Sequence, residues 1–272
     1  PTHLASNTGT CYPGYSAQPT FSPDAGFYTS AQNISISANA GATIRYTTNG
    51  SYPSGSSSIY ATPINVTTNK IIKARAYETG KLPSPISFAS IFIGQTTQLP
   101  VISISAPNTD LFNDGGGGPG IYDNTPYGGG LEPILCHLEY FGANKNRIFA
   151  HPTGIAVAGN YSTTFPQKGL QFTNDEEFNS PDNFDYPVFG QDKPYIERYH
   201  SFRLRNGDND YYRARMRDVI VNRMALYGHA TAAGYVNVSS FINGAYWGHY
   251  TARERLDRYF LRDNYGMDPD EV

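Results

Sequence analysis

Charged side chains are scarce in this sequence, at 16% of 272 residues, and the formal net charge is only -3. That balance excludes a global basic field of the kind that recruits nucleic acid or anionic lipid. No apolar run approaches the roughly 18 residues of a membrane-spanning helix. There is no basic segment leading into an apolar one, and the first residue is Pro1 rather than Met, so the chain reads as a mature or excised piece. Cysteine is nearly absent. Cys11 and Cys136 are the two present, and their spacing does not suit a zinc site. A disulfide joining the N-terminal tail to the second half of the chain and two unrelated thiols are both open readings. The six histidines form no His-x-x-x-His pair. No Walker loop, HRD, DFG or G-x-S-x-G string occurs either, and the glycine turn after Ala158 is not a G-x-G-x-x-G loop.

Tyrosine (22), glycine (27) and proline (19) are plentiful. Few charges with many turns and aromatics suit a β-rich exported protein, and the expected setting is secreted or on a bacterial cell surface. Residues 1–16 read as a linker or arm. Over 17–93 short runs alternate with a two-residue period: Ile34 and Ile36, Ile44 and Tyr46, then Ile72, Ala74 and Ala76. Turn residues such as Asn49-Gly50, Pro53, Pro63 and Gly80 separate them, which predicts a small antiparallel sandwich.

Residues 94–100 read as a hinge, and the texture changes over 101–272. "LPVISIS" and "ILCHLEYF" are apolar strands, and the glycine runs at 115–118 and 128–130 are connectors. "FAHPTGIAVAGNYSTTFPQKGLQFT" predicts a hairpin with Ile155 and Val157 on one face and Leu170 and Phe172 in the returning strand. A helix follows in which Met216, Ile220, Met224 and Tyr227 share a stripe, with Gly228 as its cap. Asn243-Gly244 marks the strongest hairpin in the chain. A second helix spans Leu256, Phe260 and Leu261 and ends at Gly266. Strands, helix, hairpin and helix in that order make an α+β layout.

Taken alone, "AGNYSTTFPQKGLQF" admits two readings: an ordinary hairpin with an exposed lysine, or a phosphate-holding turn. The second needs backbone N–H groups and a nearby cation, which Gly159, Asn160, Ser162 and Lys168 supply. "RNGDNDYY" has too few acids for a calcium loop and reads as a turn, and Trp247 in "YWGHY" reads as core.

Two family resemblances cover most of the chain. "FSPDAGFYTS", "GATIRYTTNG" and "IIKARAYETGKLPS" resemble the chitobiase/hexosaminidase C-terminal type of Ig-like domain, an accessory sandwich found beside bacterial enzymes and surface proteins. Beyond residue 99, "GIAVAGNYSTTFPQKGLQF", "FDYPVFG", "YHSFRLRNGDND", "RMRDVIVNRMALYG" and "FINGAYWGHYTARERLDRYFLRDNYG" follow, in order, the motifs of the CotH kinase family.

This resemblance implies a domain like the N-lobe of an atypical kinase, C-terminally incomplete here, that uses ATP and Mg²⁺ to phosphorylate Ser/Thr of a protein partner. Lys168 would approach the phosphates, an acid on the first helix (Asp218) would orient it, and Glu254 would lie near the lobe junction. The strand before the turn carries Ala156 and Ala158 where the family has basic residues. Catalytic acids fall, in the family's order, beyond Gly266 and are expected past Val272, so the chain alone is expected to be catalytically incomplete. A non-catalytic surface or adhesion scaffold is the competing reading. An accessory module binding a surface polysaccharide is a third.

Overall fold

The computed structural model describes residues 12–112 and 118–271. Cys11 lies outside the described residues, as does most of the first glycine run. The partner proposed for it, Cys136, is a buried thiol in the second half of the chain.

Eight short strands open the chain: β1 (Thr20–Ser22), β2 (Gly26–Tyr28), β3 (Gln32–Ser37), β4 (Thr43–Thr47), β5 (Ser58–Ile59), β6 (Ile64–Val66), β7 (Lys70–Tyr77) and β8 (Ser87–Ile93). They form two sheets, β1-β3-β6 and β2-β8-β7-β4-β5, all antiparallel except for the β2/β8 pair. The apolar alternation explains the packing between them. Ile34, Ile36 and Val66 of the first sheet meet Ile72, Ala74, Ala89 and Ile91 of the second. Alternate residues of a strand point to opposite faces, so one face of each sheet is greasy and closes on the other.

Seven further strands close into a barrel: β9 (Val101–Ser105), β10 (Ile134–Phe141), β11 (Arg147–Ala158), β12 (Gly169–Thr173), β13 (Ser201–Arg205), β14 (Tyr235–Ile242) and β15 (Ala245–Glu254). The cyclic order is β10-β11-β12-β13-β15-β14-β9, with β9 and β14 pairing in parallel to complete the closure. Inward residues fill the barrel, among them Ile104, Leu138, Ile155, Leu170, Phe172, Phe202, Leu204, Val238 and Tyr250. The "FDYPVFG" segment adds Phe184, Val188 and Phe189 to the same core. Trp247 packs against it too, donating its indole N–H to the Tyr122 hydroxyl at 3.0 Å. The second half is therefore more strongly β than the expected α+β layout.

Helices are few. α1 (Asn108–Leu111) and α2 (Ile121–Asn124) are single turns, α3 (Arg217–Tyr227) joins β13 to β14, and α4 (Arg258–Tyr265) follows β15. Among the described residues no helix is long and apolar enough to cross a membrane. The β14–β15 turn falls on Asn243-Gly244, both at positive φ (48° and 84°), as a two-residue hairpin demands. Gly266, at φ 69°, caps α4.

The apolar stripe of α3 departs from the sequence expectation. The Met216/Ile220/Met224/Tyr227 stripe does not face the core: Ile220, Met224 and Tyr227 are 53%, 67% and 76% exposed. The helix instead turns its polar edge inward. Asp218 and Asn222 both bond Arg253, and Arg223 bonds the Tyr235 hydroxyl. Val219 is the one buried apolar residue of that helix.

The two halves share a buried face. Phe27 and Phe92 of the sandwich pack with Val101, Phe141 and Phe241 of the barrel. Lys73 is fully buried between them, donating to the carbonyls of Gly50 (2.7 Å) and Ser105 (3.2 Å). Asp24 pairs with Arg147 at 2.7 Å. The segment 94–100 thus runs between two bodies that are already packed together.

Candidate functional site

The "AGNYSTTFPQKGLQF" segment forms the turn between β11 and β12. β11 ends at Ala158, and Gly159 leaves it at φ +134°, where a Cβ would lie 2.2 Å from the Ser162 hydroxyl. Only glycine takes that course without strain. A 3₁₀ turn over Tyr161–Thr164 follows, held by Thr163 Oγ1 bonding the Asn160 carbonyl and Thr164 Oγ1 the Tyr161 carbonyl, each at 2.7 Å. The clustered hydroxyls are therefore partly spent on shaping the turn.

Lys168 closes the same turn. Its ammonium donates to the Thr163 carbonyl and lies 5.9 Å from the centre of the Tyr122 ring. Its backbone is gripped as well: Lys168 N–H donates to Tyr122 Oη (2.8 Å), and Tyr250 Oη donates to the Lys168 carbonyl (2.8 Å). No ion pair joins Lys168 to Asp218, so the expected orienting acid serves other cations.

Those cations are arginines. In "SFRLRNG" Phe202 and Leu204 point into the barrel, which sends Arg203 and Arg205 to its outer face. Register places Ala156, Gln171, Arg203 and Arg253 in one row across β11, β12, β13 and β15. Arg203 donates to Gln171 Oε1 at 2.9 Å and has no carboxylate partner among the described residues. Arg205 pairs with Asp208, and its Nε lies 3.5 Å from Asp218. Asp218, in the first turn of α3, sits closer to Arg253, at 2.5 Å. Arg253 is 9% exposed and also bonds Asn222, but its Nε has no partner.

Arg203, Arg205 and the glycine turn line one cleft of about 480 Å³, together with Ala158, Asn160 and Ser162. Ala156 and Ala158 leave the β11 side of this face uncluttered. Three guanidinium groups stand here against two carboxylates, Asp208 and Asp218, an excess of one positive charge. Burial, followed by repulsion from Arg255 and Arg205, pulls the Arg203 pKa below the usual arginine value. Like charges held close with incomplete neutralisation favour an anion. The arginines were not singled out in the sequence, although the alternation of "FRLR" carries the signal.

Glu254 lies elsewhere. It ends β15 as a buried carboxylate 2.6 Å from buried Lys193, outside the cleft. Asp257 caps the start of α4, accepting from the Tyr259 and Phe260 N–H groups. "RNGDNDYY" forms a 3₁₀ turn whose Asp210 accepts from the N–H groups of Met216 and Arg217. Among the described residues no three His, Cys, Asp or Glu side chains gather in a way that could hold a metal ion.

Comparison with known families agrees with the motif order. Residues 155–272 match the family model described as CotH kinase protein, and residues 23–90 match the chitobiase/beta-hexosaminidase C-terminal domain. No curated protein matches the chain.

Proposed function

We propose that this chain, a chitobiase-type sandwich followed by a CotH kinase segment, binds the phosphates of ATP in the cleft between the Gly159–Ser162 turn and Arg203/Arg205. In this reading it is the nucleotide-holding part of a secreted or cell-surface phosphotransferase. The observation that carries it is the sequence of parts along the barrel. A hairpin with a glycine turn is followed by a strand bearing a cation, a helix bearing an acid, and a second hairpin. Protein kinases cover the phosphates with a glycine-rich loop and pair a third-strand lysine with a carboxylate on the next helix. Here the third strand of that series is β13, its cation is Arg205, and the helix acid is Asp218, 3.5 Å away.

Arginine in place of lysine changes how phosphate is held. A guanidinium offers a planar fork that binds two phosphate oxygens at once, where an ammonium acts as a point charge. Arg203, lacking a carboxylate, is the freer of the two, while Asp208 and Asp218 orient Arg205. Lys168 has a supporting role, holding the turn through the Thr163 carbonyl. ATP, when bound, supplies the transferable phosphoryl group; the chain's own residues bind and orient it. Among the described residues no three His, Cys, Asp or Glu side chains gather as a Mg²⁺ site.

Isothermal titration of the chain with ATP tests this reading. Binding is expected, and Arg205→Gln should weaken it about tenfold or more, since a charge-assisted hydrogen bond contributes about 1.5–3 kcal/mol. Equal affinity in the variant would overturn it.

A further inference from the structure

At the rim of the arginine cleft lies a group of aromatic rings to which the nucleotide reading gives no role. Phe165, buried at the end of the 3₁₀ turn, stacks on Tyr211 at 4.6 Å between ring centres. Tyr161 and Tyr212 pack edge-on against Phe165, at 5.5 and 5.6 Å with interplanar angles of 84° and 81°. These two outer tyrosines are 57% and 79% exposed, and their hydroxyls make no hydrogen bond among the described residues. Tyr211 is held in turn by Arg215, whose guanidinium lies 4.1 Å from the ring centre. The rings are fixed from beneath yet open above.

Large exposed aromatic faces cost free energy in water, so a rigid pair of them marks a contact surface. Tyrosine suits such a role because it offers wide amphipathic area with little rotamer freedom to lose. What stands next to the rings narrows the occupant. Tyr161 itself lines the arginine cleft, as do Asn160 and Asn209, whose side-chain amides bond nothing among the described residues. Free amides suit hydroxyl groups, ring faces suit the C–H faces of pyranoses, and the uncompensated guanidinium of Arg203 suits an acid group.

We propose that Tyr161 and Tyr212 form a binding site for an acidic polysaccharide strand. The sugar rings lie on the tyrosines, and carboxylate or phosphate substituents reach toward Arg203 and Arg205. The proposal stands on this surface and does not depend on ATP occupying the cleft.

The test is native-gel affinity electrophoresis of the chain through polygalacturonate, through a phosphorylated mannan, and through neutral dextran and poly-L-glutamate as controls. Retardation by at least one of the two acidic glycans is expected, and which one identifies the acid. Tyr161→Ala and Tyr212→Ala should each weaken it about tenfold, the loss typical of an aromatic anchor, while Tyr212→Phe keeps it. Tyr212→Ala should leave the ATP affinity, wherever ATP binds, as it is in the parent chain. No retardation by either acidic glycan would overturn the proposal, as would retardation unaffected by the alanine variants. Equal retardation by poly-L-glutamate would overturn it too, pointing to charge alone. Failure of ATP to bind would refute the nucleotide reading and leave this one intact.

Discussion

Lys193→Met should be among the most damaging single changes in the barrel. The Lys193 ammonium lies 2.6 Å from Glu254 Oε2, with the two side chains 2% and 3% exposed. The lysine also donates to Asn264 Oδ1 at 2.6 Å and lies 4.4 Å from the centre of the Phe260 ring. Glu254 accepts from the Gly234 N–H at 2.5 Å and from Asn264 Nδ2 at 3.2 Å. The pair thus ties the end of β15 to the 189–196 loop and to α4. Removing the cation leaves a carboxylate buried with no compensating charge, which costs about 3–5 kcal/mol. Lys193→Met paired with Glu254→Leu removes both charges, and replacing a buried pair by apolar groups of similar size is often near neutral. Urea unfolding of the two single variants and the double gives the coupling energy directly. The double variant should be more stable than Lys193→Met alone. If Lys193→Met costs less than about 1 kcal/mol, or the single effects simply add, the pair does not act as described.

Gly159→Ala forces a side chain into a backbone at φ +134° and against Ser162 Oγ. It should cost about 1–3 kcal/mol by thermal melting and reduce anion binding at the cleft; an unchanged melting temperature would contradict the turn geometry. Lys73, buried between the two halves, has its pKa pulled by burial from 10.5 down to about 7, and Glu139, also buried there, is pushed by burial from 4.5 up to about 7 despite the Arg147 nearby. Between pH 7 and 10.5 the unfolded chain holds a proton on Lys73 that the folded chain lacks, so this contribution rises with pH and is lost as pH falls through 7. Glu139 acts oppositely, favouring the fold below pH 4.5 and losing that contribution as pH rises through 7. Melting temperature against pH should therefore show a dip near 7, and Lys73→Met should flatten its alkaline side; an unaltered profile in the variant would refute this.

The sandwich was readable because each half-buried strand alternates and each turn carries Gly, Pro or Asn. The Asn243-Gly244 hairpin was readable for the same reason. Barrel closure was not, since β9 pairs in parallel with β14 across most of the second half, and no local pattern encodes a partner so far along the chain. The α3 stripe misled because apolar spacing assumes that the greasy face turns inward. Here the polar side chains of Asp218, Asn222 and Arg223 find partners on β14, β15 and the 189–196 loop, and they set the rotation of the helix. Lys168 stood out as the lone cation of the turn, yet its stem curls back onto Thr163. Arg203 and Arg205 escaped notice inside an ordinary strand, although their outward phase was written in Phe202 and Leu204. Glu254, expected near the lobe junction, pairs instead with Lys193, which comes from a loop that sequence alone could not place beside it.

In the proposed function the arginines, and not Lys168, hold phosphate at the glycine turn. Titration of ATP into the Arg203→Gln/Arg205→Gln double variant and into Lys168→Met tests it most directly. The double arginine variant should lose measurable binding, while Lys168→Met should retain most of it and lose some thermal stability instead. Full ATP affinity without the two arginines, or its complete loss on Lys168→Met with the fold intact, would contradict the account.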